Sequence, residues 1–110
     1  MSFKASINKK GAVLLGKYIA CDSFDLTRPI RVVTHVHYDH LNGLQQSLRN
    51  CEKVVMTPAT KDLLQVLRGP SSLINGNIKT LSYGKTLRTR NECLTLCPAD
   101  HILGAAQVLV

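Results

Sequence analysis

Three histidines and one aspartate lie within residues 35–40, directly after a short β-branched segment, and this cluster restricts the fold more than any other feature. The preceding residues 30–34 read Ile-Arg-Val-Val-Thr, a composition that favours extended backbone. The histidines are therefore predicted to stand at the C-terminal end of a strand. Alternation along extended backbone would place His35 and His37 on the same side of the chain.

Strand and helix signals alternate along the remainder of the chain. A helix is predicted from His40 to Asn50, and a second one begins at Pro58, stops at Gly69, and buries Leu63, Leu64 and Leu67. The predicted strands are residues 12–15, 18–21, 30–34, 53–57, 77–82, 86–89, 93–97 and 105–110. This order predicts an α/β fold with mixed sheets, in one domain that spans residues 1–110.

The last apolar run, residues 105–110, stops without a turn, a cap or a polar tail. Natural domains more often end in a polar, frayed segment. We therefore expect either that the chain is a fragment of a longer gene product or that something outside the sequence covers this strand edge.

The cysteines and the apolar pattern bear on the cellular compartment. Residues 1–8 lack the apolar core of a secretory signal, and no run approaches the roughly 18 apolar residues of a membrane span. We expect a soluble, cytoplasmic protein whose cysteines are reduced. Cys93 and Cys97 lie four positions apart in a predicted strand, so they should share one face, which we expect to be the core face.

The net charge is strongly positive. Lysine and arginine number 14 against 7 acidic residues, which gives a charge of +7 and a pI near 9.5. This charge favours a polyanionic partner such as nucleic acid. The basic residues, Arg31 among them, are spread along the chain, so an ordinary solvated surface accounts for the charge equally well.

The histidine cluster itself predicts a metal site. Imidazole is the commonest zinc ligand, and carboxylate is a usual additional ligand. Asp39 and His40 lie where the chain is predicted to turn into a helix, so they can face a point next to the one that His35 and His37 face. Two adjacent metal positions follow, an arrangement suited to phosphodiester hydrolysis.

Residues 34–41, Thr-His-Val-His-Tyr-Asp-His-Leu, resemble the hallmark motif of the metallo-β-lactamase superfamily. That family has an aspartate at the end of a preceding strand, which supports the ligands without binding the metal. Asp22 matches this position, and Asp25 is the less favoured alternative. Residues 100–108 resemble the family's third motif, with His101 as a ligand, although Asp100 stands where glycine or asparagine is typical.

The resemblance implies a ligand set and a fold. His35, His37 and His101 would bind the first zinc, while Asp39 and His40 would face the second and would be the catalytic residues. The fold would be the N-terminal half of the metallo-β-lactamase αββα sandwich. The family completes its site with a bridging aspartate and a final histidine, and nothing after His101 in this sequence corresponds to them.

The third motif is similar to that of the nucleic-acid-processing branch, namely the β-CASP-type RNA 3′-end processing factors and the related DNA exonucleases. We therefore predict a nuclease that hydrolyses phosphodiesters of RNA or DNA with one or two Zn²⁺ ions, or with Mn²⁺, and has no membrane partner. One alternative is a thioester or lactam hydrolase of the same fold. Another is a non-catalytic half-domain that binds metal or nucleic acid and pairs with a missing C-terminal half or with a second copy.

Overall fold

The computed structural model describes residues 5–36, 41–69, 77–89, 92–99 and 105–110. No helix in this part of the chain is both long and apolar enough to cross a membrane. The elements, in chain order, are β1 (Ala5–Ile7), β2 (Val13–Leu15), β3 (Ile19–Cys21), β4 (Ile30–Val32), α1 (Leu44–Asn50), β5 (Lys53–Met56), α2 (Pro58–Arg68), β6 (Ile78–Thr80), β7 (Thr86–Thr89), β8 (Glu92–Pro98) and β9 (Ala106–Leu109).

The larger sheet is mixed and has the order β1-β2-β3-β4-β5-β6. Its first three strands are antiparallel, whereas β3, β4, β5 and β6 run parallel to one another. In the register of these parallel strands, Cys21 lies beside Val32, and Val32 beside Val55. The C-terminal ends of the parallel strands therefore form one edge, which we call the carboxyl edge. Ligands of open α/β sheets bind at such an edge.

Two apolar clusters cover the two faces of this sheet. On one face, Val54 and Met56 pack with Leu44 and Leu48 of α1 and Leu64 of α2. On the other face, the strands contact the antiparallel sheet β7-β8-β9. That contact is made by Ile19, Cys21, Ile30, Val32, Val55, Leu81, Leu94, Leu96 and Ala106. The described layers are thus helices, mixed sheet and second sheet, which confirms the predicted α/β class with mixed sheets.

The observed elements follow the predicted ones, except for β1, which lies before the first predicted strand. In the described part of the first helix, the α-helix begins at Leu44, after Gly43 in the left-handed conformation, and not directly at the histidine motif. The second helix begins at Pro58, as predicted, with the Thr57 side chain accepting a hydrogen bond from the backbone of Thr60. Its buried residues are Thr60 and Leu64, a row four positions apart.

Two predictions of buried residues are wrong. Leu67 is 66% exposed because it is offset from the Thr60–Leu64 row that meets the sheet. Cys93 and Cys97 do share one face of β8, but Cys93 is exposed and Cys97 is half-buried. Leu94 and Leu96 occupy the opposite face and are fully buried between the sheets. Alternation along a strand determines which residues share a face. The leucine face is the one that is buried, because leucine side chains bury more apolar surface than cysteine side chains.

The loop after β3 is held by Asp25. Its Oδ2 accepts a hydrogen bond from Asn8 Nδ2 at 3.0 Å, and its Oδ1 accepts from the backbone nitrogen of Thr27 at 2.9 Å and from the Thr27 hydroxyl. These bonds, that from Asn8 first, lower the pKa of the Asp25 carboxyl below its usual value. The Asp25 carboxylate is thus occupied by hydrogen bonds that hold this loop.

Asp25→Asn is expected to lower the melting temperature by a few degrees near neutral pH. The folded-state pKa is depressed, so the stability from this carboxylate is present above the unfolded pKa of about 3.9 and is lost as the pH falls through the folded value. Thermal unfolding of both proteins between neutral and acid pH measures this. A difference that stays constant below about pH 4 would contradict the assignment.

Candidate metal centre

Asp22 lies at the carboxyl edge, immediately after β3, in the left-handed conformation with φ 65°. Its backbone nitrogen donates to the carbonyl oxygen of Val32 at 2.9 Å, which keeps the residue against β4. Its carboxylate accepts two hydrogen bonds from Thr34, from the backbone nitrogen at 2.8 Å and from the hydroxyl at 2.6 Å. Aspartate tolerates positive φ better than most residues, so the turn that aims this carboxylate at Thr34 costs little strain.

Thr34 connects Asp22 to His35. The Thr34 hydroxyl oxygen lies 2.8 Å from His35 Nδ1. Because the hydroxyl has a single proton and donates it to Asp22, its oxygen accepts the proton that His35 carries on Nδ1. A neutral imidazole that is protonated on Nδ1 has its lone pair on Nε2. The Asp22–Thr34–His35 chain therefore selects a tautomer of His35 that can ligate a metal through Nε2.

The second sheet also contacts Thr34. The backbone nitrogen of Ala106 donates to the carbonyl oxygen of Thr34 at 2.9 Å. The carbonyl oxygen of Ala105 accepts from the Tyr83 hydroxyl at 2.6 Å and from the backbone nitrogen of Ala99 at 3.2 Å. Ala99, which directly precedes the predicted third motif, and Ala105, which lies within it, are thus bonded to each other beside Thr34.

Arg31 is buried beneath the same edge. This β4 side chain is fully shielded from solvent, and its Nη1 donates to the carbonyl oxygen of Asn42 at 2.8 Å and to Ser47 Oγ at 3.1 Å. Burial lowers the pKa of the Arg31 guanidinium to about 10, while the negative charge of Asp22 acts in the opposite direction. The group stays protonated at neutral pH. Arg31 is therefore not part of the solvated basic surface considered from the sequence.

The described residues contain only part of the predicted site. Asp22 and His35 are brought together as described above. His37, Asp39, His40 and His101 lie outside the described residues. Within the described ranges, no three histidine, cysteine, aspartate or glutamate side chains gather where they could hold a metal ion.

Sequence reasoning missed three residues around His35. Thr34 was part of the recognised motif, but nothing in the sequence assigned it a role, and a hydroxyl directly before the first histidine is the signal that could have done so. Arg31, in an otherwise apolar strand, was a visible anomaly. Tyr83 gave no signal, because its bond to Ala105 joins segments that are 22 positions apart.

The basic residues do not concentrate at the carboxyl edge. Lys9 and Lys10 are exposed in the β1–β2 turn, which lies at this edge because Val13 pairs with Cys21. At the opposite edge, Lys53 and Arg88 line a small cavity of about 110 Å³. The charge distribution of the described residues therefore does not select one edge for a polyanion.

The chain was compared with known proteins. No protein-family model matches it, and no curated protein sequence does either.

Proposed function

We propose that the chain is a zinc-dependent phosphodiester hydrolase of the nuclease type, built as the N-terminal half of a metallo-β-lactamase αββα sandwich. The observation that carries the proposal is the hydrogen-bond chain Asp22–Thr34–His35 at the carboxyl edge. A metal-binding histidine usually donates the proton of its other ring nitrogen to a polar group that fixes the ring. Here that group is the Thr34 hydroxyl, which Asp22 holds in place. The sequence motif assigns Asp22 this role independently of the geometry.

The donor set fits zinc. His35 would bind the first ion through Nε2, together with His37 and His101, and Asp39 and His40 would face the second ion. Imidazole nitrogens with a carboxylate oxygen are donors that catalytic zinc accepts. When bound, such ions polarise a phosphodiester and lower the pKa of water.

The described residues would prepare this site in three ways. Asp22 and Thr34 hold the His35 ring in one tautomer and one orientation, so little rearrangement is needed when metal binds. The bond from Ala106 to Thr34 ties the third motif to the first motif. The exposed Lys9 and Lys10 at this edge would attract phosphate groups, in keeping with the net charge of +7.

The first experiment measures zinc by elemental analysis of the purified chain and of two double variants. His35→Ala with His37→Ala removes two predicted ligands, whereas Cys93→Ala with Cys97→Ala removes two accessible thiols on the outer face of β8. We expect about one or two zinc ions per wild-type chain. The cysteine variant should retain this zinc, and the histidine variant should lose nearly all of it.

Cleavage is then assayed on labelled RNA and DNA with added Zn²⁺ or Mn²⁺, beside a thioester and a lactam. Metal-dependent cleavage of nucleic acid that the histidine variant lacks would support the proposal. Hydrolysis of the thioester or lactam alone would replace it with a small-molecule hydrolase. Bound zinc without any hydrolysis would leave a metal-binding half-domain.

A further inference from the structure

Arg31 stands out because it is a charged side chain on a strand whose other residues, Ile30 and Val32, are apolar core residues. Its side chain projects from the opposite face of β4, towards the segment that leads into α1. Burying a guanidinium costs free energy unless its N–H groups form hydrogen bonds. Arg31 is fully buried, so its hydrogen-bond partners show what the side chain contributes.

The bonds of Arg31 reach the chain on the C-terminal side of the histidine motif. The carbonyl oxygen of Asn42 accepts from Nη1 in the turn that precedes α1, and Ser47 Oγ accepts from the same nitrogen one helical turn later. The backbone nitrogen of Ser47 in turn donates to the carbonyl oxygen of Gly43 at 2.9 Å. One side chain thus holds both the turn and the first turn of the helix against β4.

The charge of Arg31 also acts on the N-terminal side of the motif. Arg31 and Asp22 attract each other electrostatically, and the Asp22 carboxylate accepts two hydrogen bonds from Thr34. Thr34 holds the His35 ring. The histidine motif therefore begins at a residue that depends on Asp22 and is followed by a turn that depends on Arg31.

We infer that Arg31 is a positioning residue for the metal centre, which holds the turn and the helix start that follow the histidine motif against β4 through Asn42 and Ser47, while its positive charge attracts Asp22 on the other side of the motif. The inference rests on the proposed metal site for its functional consequence. Its structural part, the ordering of both flanks by one buried cation, holds without metal.

The test compares four variants with the wild-type chain. Arg31→Met removes the charge and the bonds to Asn42 and Ser47, Arg31→Lys retains a charge without the planar fork, and Ser47→Ala removes one acceptor while the bond to Asn42 remains possible. Leu94→Ala is the control, because Leu94 is fully buried between the two sheets, away from α1. Its cavity lowers the melting temperature without touching the motif.

Zinc affinity is measured by competition with a chelator, and amide hydrogen exchange by NMR is measured without metal. Arg31→Met is expected to weaken zinc binding at least about 10-fold, with Ser47→Ala and Arg31→Lys in between and Leu94→Ala within about twofold of wild type. Without metal, Arg31→Met should accelerate exchange at the amides of Thr34 and Ser47 more than at Leu94.

The two measurements, zinc affinity and amide exchange without metal, test the inference and the proposed function separately. Equal loss of zinc affinity in Arg31→Met and Leu94→Ala would overturn the role of Arg31, since general destabilisation would then account for the loss. If the wild-type chain binds no zinc, the proposed function fails, and amide exchange alone decides: selective acceleration at Thr34 and Ser47 supports the positioning role, and its absence overturns that role.

Discussion

Asp22→Asn is expected to lower the zinc affinity of the chain by about 10- to 100-fold while the fold is retained. Asparagine tolerates the positive φ of this position, so the backbone turn survives. Its amide nitrogen, however, donates where the carboxylate accepted from the Thr34 hydroxyl. The Thr34 hydroxyl then donates its proton to His35 Nδ1, and the imidazole proton moves to Nε2. The variant thus favours the tautomer that cannot ligate through Nε2.

The measurement is a zinc titration against a competing chelator, with circular dichroism to show that the fold is kept. Asp25→Asn is the matched control, because it makes the same chemical change three positions later in a carboxylate bonded to Asn8 and Thr27. Zinc affinity should be unchanged in the control. Equal affinities in Asp22→Asn and wild type would show that the hydrogen-bond chain does not govern His35.

Gly43→Ala is expected to reduce the free energy of unfolding by about 3 kcal/mol, which corresponds to a fall in melting temperature of about 10–20 °C. Gly43 has φ 69°, which costs an alanine conformational strain. A Cβ at this position would also lie 2.8 Å from Phe24 Cβ and 3.2 Å from the Phe24 backbone nitrogen. These atoms cannot move without shifting the loop after Asp22.

Gly84→Ala separates the conformational strain of the positive φ from the steric contact with Phe24. Gly84 has φ 77°, but a Cβ there meets no atom within 4 Å. This variant should therefore lose only the conformational part, about 1 kcal/mol. Urea unfolding of both variants measures the difference, which reports the contact between Gly43 and Phe24. Equal losses in the two variants would mean that the Phe24 loop yields to the added methyl group at no cost.

Local sequence pattern predicted the described strands and helices, except for β1. Short β-branched runs, the proline at the start of α2 and the spacing of apolar residues placed the strands and helices, because these signals depend on neighbours along the chain. The same local order places Asp22 directly after β3 and His35 soon after β4, so the sequence motif alone identifies both residues.

Contacts between distant segments were decided only when the sheets paired and packed. Alternation in β8 divides its residues into two faces but does not say that Leu94 faces the first sheet and Cys93 faces outward. The bond from Ala106 to Thr34 depends on how the second sheet is placed against β4, which no local signal encodes. Arg31 likewise reads as a surface charge until α1 covers β4, and burial then turns it into a donor to the turn beside the histidine motif.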